Sequence, residues 1–169
     1  MFDLKNKDNL IQISKDEVRT YWDLIRPGLD YMVENKRNPD GWLPEDIYKV
    51  LTGGHADLFF TAITRGEDKG MRYATREAAI ADSSGFVILQ VLNTFEGRVL
   101  HIWIAVSNES TNKADAGSIM RVFNDELNEI AKSAGCIAIT FGSNQDWWTK
   151  IAPRFGFEPQ ETKYRKEVK

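Results

Sequence analysis

Between residues 118 and 135 the chain reads SIMRVFNDELNEIAKSAG, with Ile119, Phe123, Leu127, Ile130 and Ala134 recurring at intervals of three or four. That spacing sets apolar side chains along one face of an α-helix, and Gly135 supplies a natural stop. A helix with one apolar face must bury it, and its flanks indicate against what. RVLHIWIAV precedes it and CIAITFG follows it, and both are rich in the β-branched and aromatic residues that suit strands. The pattern therefore predicts a strand, loop, helix and strand in succession, with the helix packed on a sheet.

Two further runs, DLFFTAITR and GFVILQVLN, read as strands and form an antiparallel meander with RVLHIWIAV. DNLIQIS is a short first strand. Ser14 followed by Glu17 is a capping-box pattern for a helix beginning near Lys15, with Val18, Trp22 and Ile25 on one face. Pro27 is expected to end or bend that helix, GLDYMVENK continuing as a second piece. Pro44 suits a first helical turn, and Ile47, Val50 and Leu51 form a stripe that stops at Gly53 and Gly54.

Residues 66–84 are charged, rich in alanine and too long for a tight hairpin connection. They are expected to be an insertion, whether helix, arm, disorder or solvated loop, that the core does not need and that serves a protein partner or stays mobile. CIAITFG is expected to be buried on both faces if it is central. A short helix through WWTKIAPRFG then leads to a last strand, TKYRKEV. Trp147 and Trp148, as helix neighbours, would diverge by about 100°. One would then be core and the other free to meet substrate, coenzyme or partner. The order β, helices, three β, helix, β, helix, β describes a single domain over 1–169. Its class is α/β, with a mixed, mostly antiparallel sheet flanked by helices.

At 169 residues and 42% hydrophobic composition the chain can fill one core. Its net charge of -3 gives no basic field to draw in nucleic acid, and none is expected as a partner. A single cysteine and two separated histidines offer neither an internal disulfide nor ligand spacing for a metal. A reducing, cytoplasmic setting is expected. MFDLKNKDNLIQIS lacks the apolar stretch of a signal peptide, and no run reaches membrane-spanning length, so no membrane association is expected.

The stretch LHIWIAVSNESTNKADAGSIMRVFNDELNEIAKSAGCIAITFGS, followed by APRFGFEP, resembles the second half of a GCN5-related N-acetyltransferase, the GNAT superfamily. The features that carry the resemblance are the alternating strand before a loop and helix, the Gly-Cys entry into the next strand, and the late Gly-Phe step. The order of elements extends it over most of the chain. The resemblance implies an acyl-coenzyme A site in the splay between the fourth and fifth strands, with acetyl-coenzyme A as acyl donor and no metal. Ile104 and Val106 would then offer backbone groups to the pantetheine arm. Asn112, Lys113, Ala116, Gly117 and Ser118 would face the pyrophosphate at a helix start, where unpaired amides and the helix dipole favour a phosphate. Asp115 departs from the family pattern, in which a basic residue or glutamine introduces two glycines or small residues. Lys113 could offset its charge. The alternative is a plain helix entry capped by Asp115 or Ser118. Asn144 would bond the coenzyme arm or cap the next helix.

For the chemistry, the resemblance implies direct attack on the thioester by a primary amine of a small molecule or protein. His101, with an ordinary pKa near 6.5, could take the amine proton directly or through water, and Glu109 is the carboxylate alternative. Each has a structural counterpart: a hydrogen-bonded sheet histidine and a solvated loop acid. Family members often place a tyrosine four residues before the Gly-Phe step, where it protonates the departing thiolate. Here that residue is Ala152. Some bacteriophage proteins carry GNAT-like domains, so a non-catalytic virion or host-binding component is the second reading. A ligand-sensing module is the third.

Overall fold

The structure, a computed structural model, describes residues 2–3, 9–62, 72–73, 75–107 and 118–169. In chain order the elements are β1 (Phe2–Asp3), β2 (Asn9–Ile13), α1 (Val18–Glu34), α2 (Pro44–Thr52), β3 (Asp57–Ala62), β4 (Arg72–Tyr73), α3 (Arg76–Ala81), β5 (Gly85–Asn93), β6 (Arg98–Ser107), α4 (Ser118–Ser133), β7 (Ala138–Phe141) and α5 (Trp148–Ile151). A 3-10 turn at Ala152–Phe155 follows α5. One five-stranded sheet has the order β2-β3-β5-β6-β7, antiparallel throughout except for the parallel pair β6 and β7. β1 and β4 pair apart from it.

Strict alternation in β5 fixes the layers. Phe86 and Ile88 join one core, with Ile25 and Leu29 of α1, Ile47 and Leu51 of α2 and Ile80 of α3. Val87 and Leu89 join the other, with Phe123, Leu127 and Ala131 of α4. A strand buried on both faces needs helices on both sides of the sheet, and each fully buried side chain of this size contributes about 1.5 to 3 kcal/mol. The helix predicted from residue 118 onward is α4, and its stripe meets the sheet as the spacing requires.

The Ser14 amide donates to the Glu17 carboxylate at 3.0 Å, one half of the predicted capping box, but the helix proper starts at Val18. Pro27 neither ends nor divides it, because α1 runs on from Val18 to Glu34 with the proline inside. An interior proline costs about 3 kcal/mol. Ile25 and Leu29, on either side of it, are both fully buried, and that burial offsets the lost hydrogen bond.

Part of the stretch expected to be dispensable, 66–84, belongs to the core. Residues 63–71 and 74 lie outside the described residues, but Thr75 caps α3 by accepting from the Ala78 amide at 3.1 Å, and Ala79 and Ile80 are fully buried. At six residues α3 is too short to show a helical period in the sequence. β7 is the outer strand of the sheet, with Ala138 exposed and Ile139, Thr140 and Phe141 partly buried, so it is not the doubly buried strand expected of CIAITFG. TKYRKEV forms no strand: Tyr164 is 92% and Val168 98% exposed. Strand propensity is realised only beside a partner edge or on an apolar surface, and this charged stretch has neither in the structure.

Candidate functional site

β6 is ten residues long and β7 only four. Their parallel pairing joins Val99 to Ala138, Leu100 to Ile139, His101 to Thr140 and Ile102 to Phe141, and there it stops. From Trp103 to Val106, β6 runs on with no strand beside it on that side among the described residues. Along that edge, from Trp103 to Val106, β6 has a gap in its strand pairing among the described residues.

The other side of β6 changes register at the same point. Ile88 of β5 stands opposite Ile104, but Leu89 stands opposite Ile102, so Trp103 is an extra residue on β6. One inserted residue bends a strand and reverses the faces taken by the side chains beyond it. Leu100 and Ile102 accordingly bury with α4, whereas Ile104 and Val106 bury with α1 and α2. The bulge and the end of the β7 pairing coincide. Helix α1 comes close to the strand here, since a Cβ added to Gly28 would lie 2.7 Å from Val106 Cγ1.

His101 lies two residues before the bulged Trp103. Its ring faces the α1 side of the sheet, opposite Leu100 and Ile102, and Nδ1 is 3.0 Å from Thr140 Oγ1. Burial lowers its pKa below the ordinary 6.5; Lys163 acts in the same direction, while Asp40 and a hydrogen bond to the Thr140 main chain oppose it. The ring is thus neutral at pH 7 and able to accept a proton.

The loop beyond β7 is tied to the end of α1. Asn144 Nδ2 donates to the Lys36 carbonyl at 2.8 Å, and its Oδ1 accepts from Gln145 Nε2 at 2.9 Å. Trp147 and Trp148 do not diverge: Trp147 precedes the first helical residue, and the rings stack at 4.6 Å and 24°. Trp148 and Phe157 both meet Phe141 edge-on, at 4.8 and 4.9 Å. Gly156, at φ 84°, takes the left-handed turn that returns Phe157 to that ring, which is the physical content of the Gly-Phe step. Trp147 Nε1 is buried, and no acceptor meets it among the described residues.

The structure therefore brings His101, Ile104 and Val106 together along β6, and Ser118 opens α4. Glu109, Asn112, Lys113, Ala116 and Gly117 lie outside the described residues. Ala152 begins the 3-10 turn, its carbonyl accepting from the Phe157 amide at 3.2 Å. Thr140 was not legible as a partner of His101, because the register of two parallel strands joined through a helix leaves no local sequence signal. A cavity of about 350 Å³ lined by Ile13, Lys15, Leu51, Gly54 and Asp57 lies at the β2 edge, across the sheet from β7. Among the described residues no cluster of three or more His, Cys, Asp or Glu could hold a metal, and no helix is long and apolar enough to cross a membrane.

Solved acetyltransferase structures share this fold. An aminoglycoside acetyltransferase from an uncultured soil metagenomic sample, in complex with sisomicin, is 15% identical with a TM-score of 0.58 over 97% of this chain and 98% of that one. A ribosomal-protein-alanine N-acetyltransferase from Brucella melitensis biovar Abortus 2308 is 13% identical, with a TM-score of 0.57 over 95% and 99%. An aminoglycoside N-acetyltransferase in complex with CoA is 15% identical, with a TM-score of 0.55 over 95% of each chain. No protein-family model matches the chain, and no curated protein matches it significantly. At these identities the likeness establishes the fold, which is GNAT-like: a mixed, mostly antiparallel sheet flanked by helices.

Proposed function

We propose that the protein is an acyl-coenzyme A-dependent N-acyltransferase that moves an acetyl group to a primary amine by direct attack. The observation that carries this reading is the run of β6 past the end of β7, which leaves strand backbone from Trp103 to Val106 facing a gap. An extended amide-bearing arm can add to such an edge as a further strand would. The pantetheine of coenzyme A is such an arm, so Ile104 and Val106 are assigned to hold it through their backbone. The helix entry at Asn112, Lys113, Ala116, Gly117 and Ser118 is assigned to the pyrophosphate, where amides at the start of α4 suit a phosphate. The Asn144 amide is already committed to Lys36 and is not needed for this role.

In the reaction the amine nitrogen attacks the thioester carbonyl carbon, the carbon–sulfur bond breaks, and an amide and free thiol result. His101 takes the proton that the amine loses, with Glu109 as the carboxylate alternative. Backbone amides at the gap stabilise the charge on the carbonyl oxygen. The thiolate takes its proton from water, since Ala152 carries no hydroxyl. That substitution is also what favours the second reading, a GNAT-like interaction protein without turnover. Release of free thiol from acetyl-coenzyme A in the presence of an amine panel, small molecules and peptides included, tests the proposal. Amine-dependent release is expected, and a fully inert folded protein moves the assignment to the interaction protein.

A further inference from the structure

His101 and Thr140 stand at matched positions of the parallel pair β6 and β7, and the ring nitrogen and hydroxyl oxygen are 3.0 Å apart. A neutral imidazole has one N–H and one bare nitrogen, and the partner on one side decides which nitrogen keeps the lone pair. If the Thr140 hydroxyl donated to Nδ1, the proton would sit on Nε2 and the ring could not accept one there. If Nδ1–H donates to Thr140, Nε2 is bare. Nδ1 is the nitrogen that meets Thr140, so Nε2 is the nitrogen left for a substrate. Nε2 is basic only in the second arrangement, in which the Thr140 hydroxyl accepts from Nδ1–H.

We propose that Thr140 is a positioning residue, holding His101 as the Nδ1–H tautomer so that Nε2 is the atom that takes the amine proton. This rests on the acyltransferase reading for its catalytic meaning and on the β6–β7 register for its geometry. The hydroxyl, having accepted from Nδ1, keeps its own hydrogen to donate elsewhere. The charged groups that act on the ring are Asp40, in the turn between α1 and α2, and Lys163, beyond the 3-10 turn. Removing the threonine hydroxyl leaves both in place.

The chain has two histidines, so the experiment has its own reference. His55 is exposed and supplies a second imidazole spectrum for comparison. Nitrogen-15 NMR of histidine-labelled protein at neutral pH, assigned with His101→Gln, reads which His101 nitrogen carries the proton. The expected result is a protonated Nδ1 and a bare Nε2 in the native protein, kept in Thr140→Ser and lost in Thr140→Val. In turnover, Thr140→Val should lower kcat about 10-fold or more, within the 100- to 10,000-fold that a general base contributes. KM for the acyl donor should change little, and Thr140→Ser should recover most of the rate. An Nε2–H tautomer in the native protein, or one indifferent to Thr140→Val, overturns the proposal. So does a tautomer lost in Thr140→Val with no change in kcat. The expected tautomer in a protein inert toward every amine overturns the catalytic assignment together with the reading beneath it, and the NMR shows that the geometry was not what failed.

Discussion

Gly28 of α1 stands so close to Val106 of β6 that a Cβ at residue 28 would meet the valine Cγ1 at 2.7 Å and the Phe86 ring at 3.0 Å. The helix therefore rests on the strand beside the gap into which we place the acyl donor. Gly28→Val forces α1 and β6 apart, since Val106 and Phe86 are both buried and have little room to yield. A loss of roughly 1 to 3 kcal/mol from overpacking is expected. Chemical denaturation checks it, and an unchanged midpoint would mean that the helix can lift without cost.

The strands of the meander were legible from their β-branched and aromatic residues, and α2 and α4 from the helical spacing of their apolar residues. Ile47 and Leu51, and Phe123 and Leu127, lie in the cores as that spacing requires. What was not legible depends on neighbours distant in the chain. Pro27 stays inside a helix because Ile25 and Leu29 are buried against the sheet, and α3 is held by an ion pair to a residue far earlier in the chain. TKYRKEV alternates in a way that suits a strand, yet no edge pairs with it. Within the site, the resemblance pointed to His101, Ile104 and Val106, but neither the Trp103 bulge nor the Thr140 contact has a sequence signature.

Arg76 of α3 reaches Glu17 at 2.6 Å and also donates to the Gln12 carbonyl, pinning α3 to the start of α1. The hydrogen bonds from Arg76, with those at Ser14, hold the Glu17 pKa at about 2 instead of 4.5. A depressed carboxylate stabilises the fold above the unfolded pKa, and this contribution is lost as the pH falls from about 4.5 toward 2. Both side chains are about a third exposed, so Glu17→Gln should cost only about 1 kcal/mol at pH 7. The native protein and the variant should converge in melting temperature as the pH approaches 2. A constant gap across that range would remove the ion pair from the explanation.

His101 titrates with its pKa held below 6.5, chiefly by burial. The unfolded chain then binds a proton more readily than the folded one. Its contribution to stability is present above pH 6.5 and is lost as the pH drops through that value toward the folded pKa. His101→Gln should flatten this part of the stability profile between pH 7 and 5. The NMR titration of His101 checks the same relation, and a midpoint above 6.5 would contradict it.

Ile80 is fully buried in a helix that the sequence marked as dispensable. Ile80→Ala should cost about 2 to 5 kcal/mol, the range for a large aliphatic residue removed from a core. Replacing residues 75–84 by a Gly-Ser connection should be more damaging still, because it also removes Arg76. Equilibrium denaturation of both variants checks this, and wild-type stability in either would mean that α3 contributes nothing to the fold.

The central claim is that the gap beside Trp103 to Val106 takes an acyl-coenzyme A. Calorimetric titration of the full chain with acetyl-coenzyme A and with coenzyme A measures this most directly. A saturable heat with one ligand per chain is predicted for both, because the pantetheine arm and pyrophosphate are common to them. A folded protein that gives no heat with either at millimolar concentration would contradict the account.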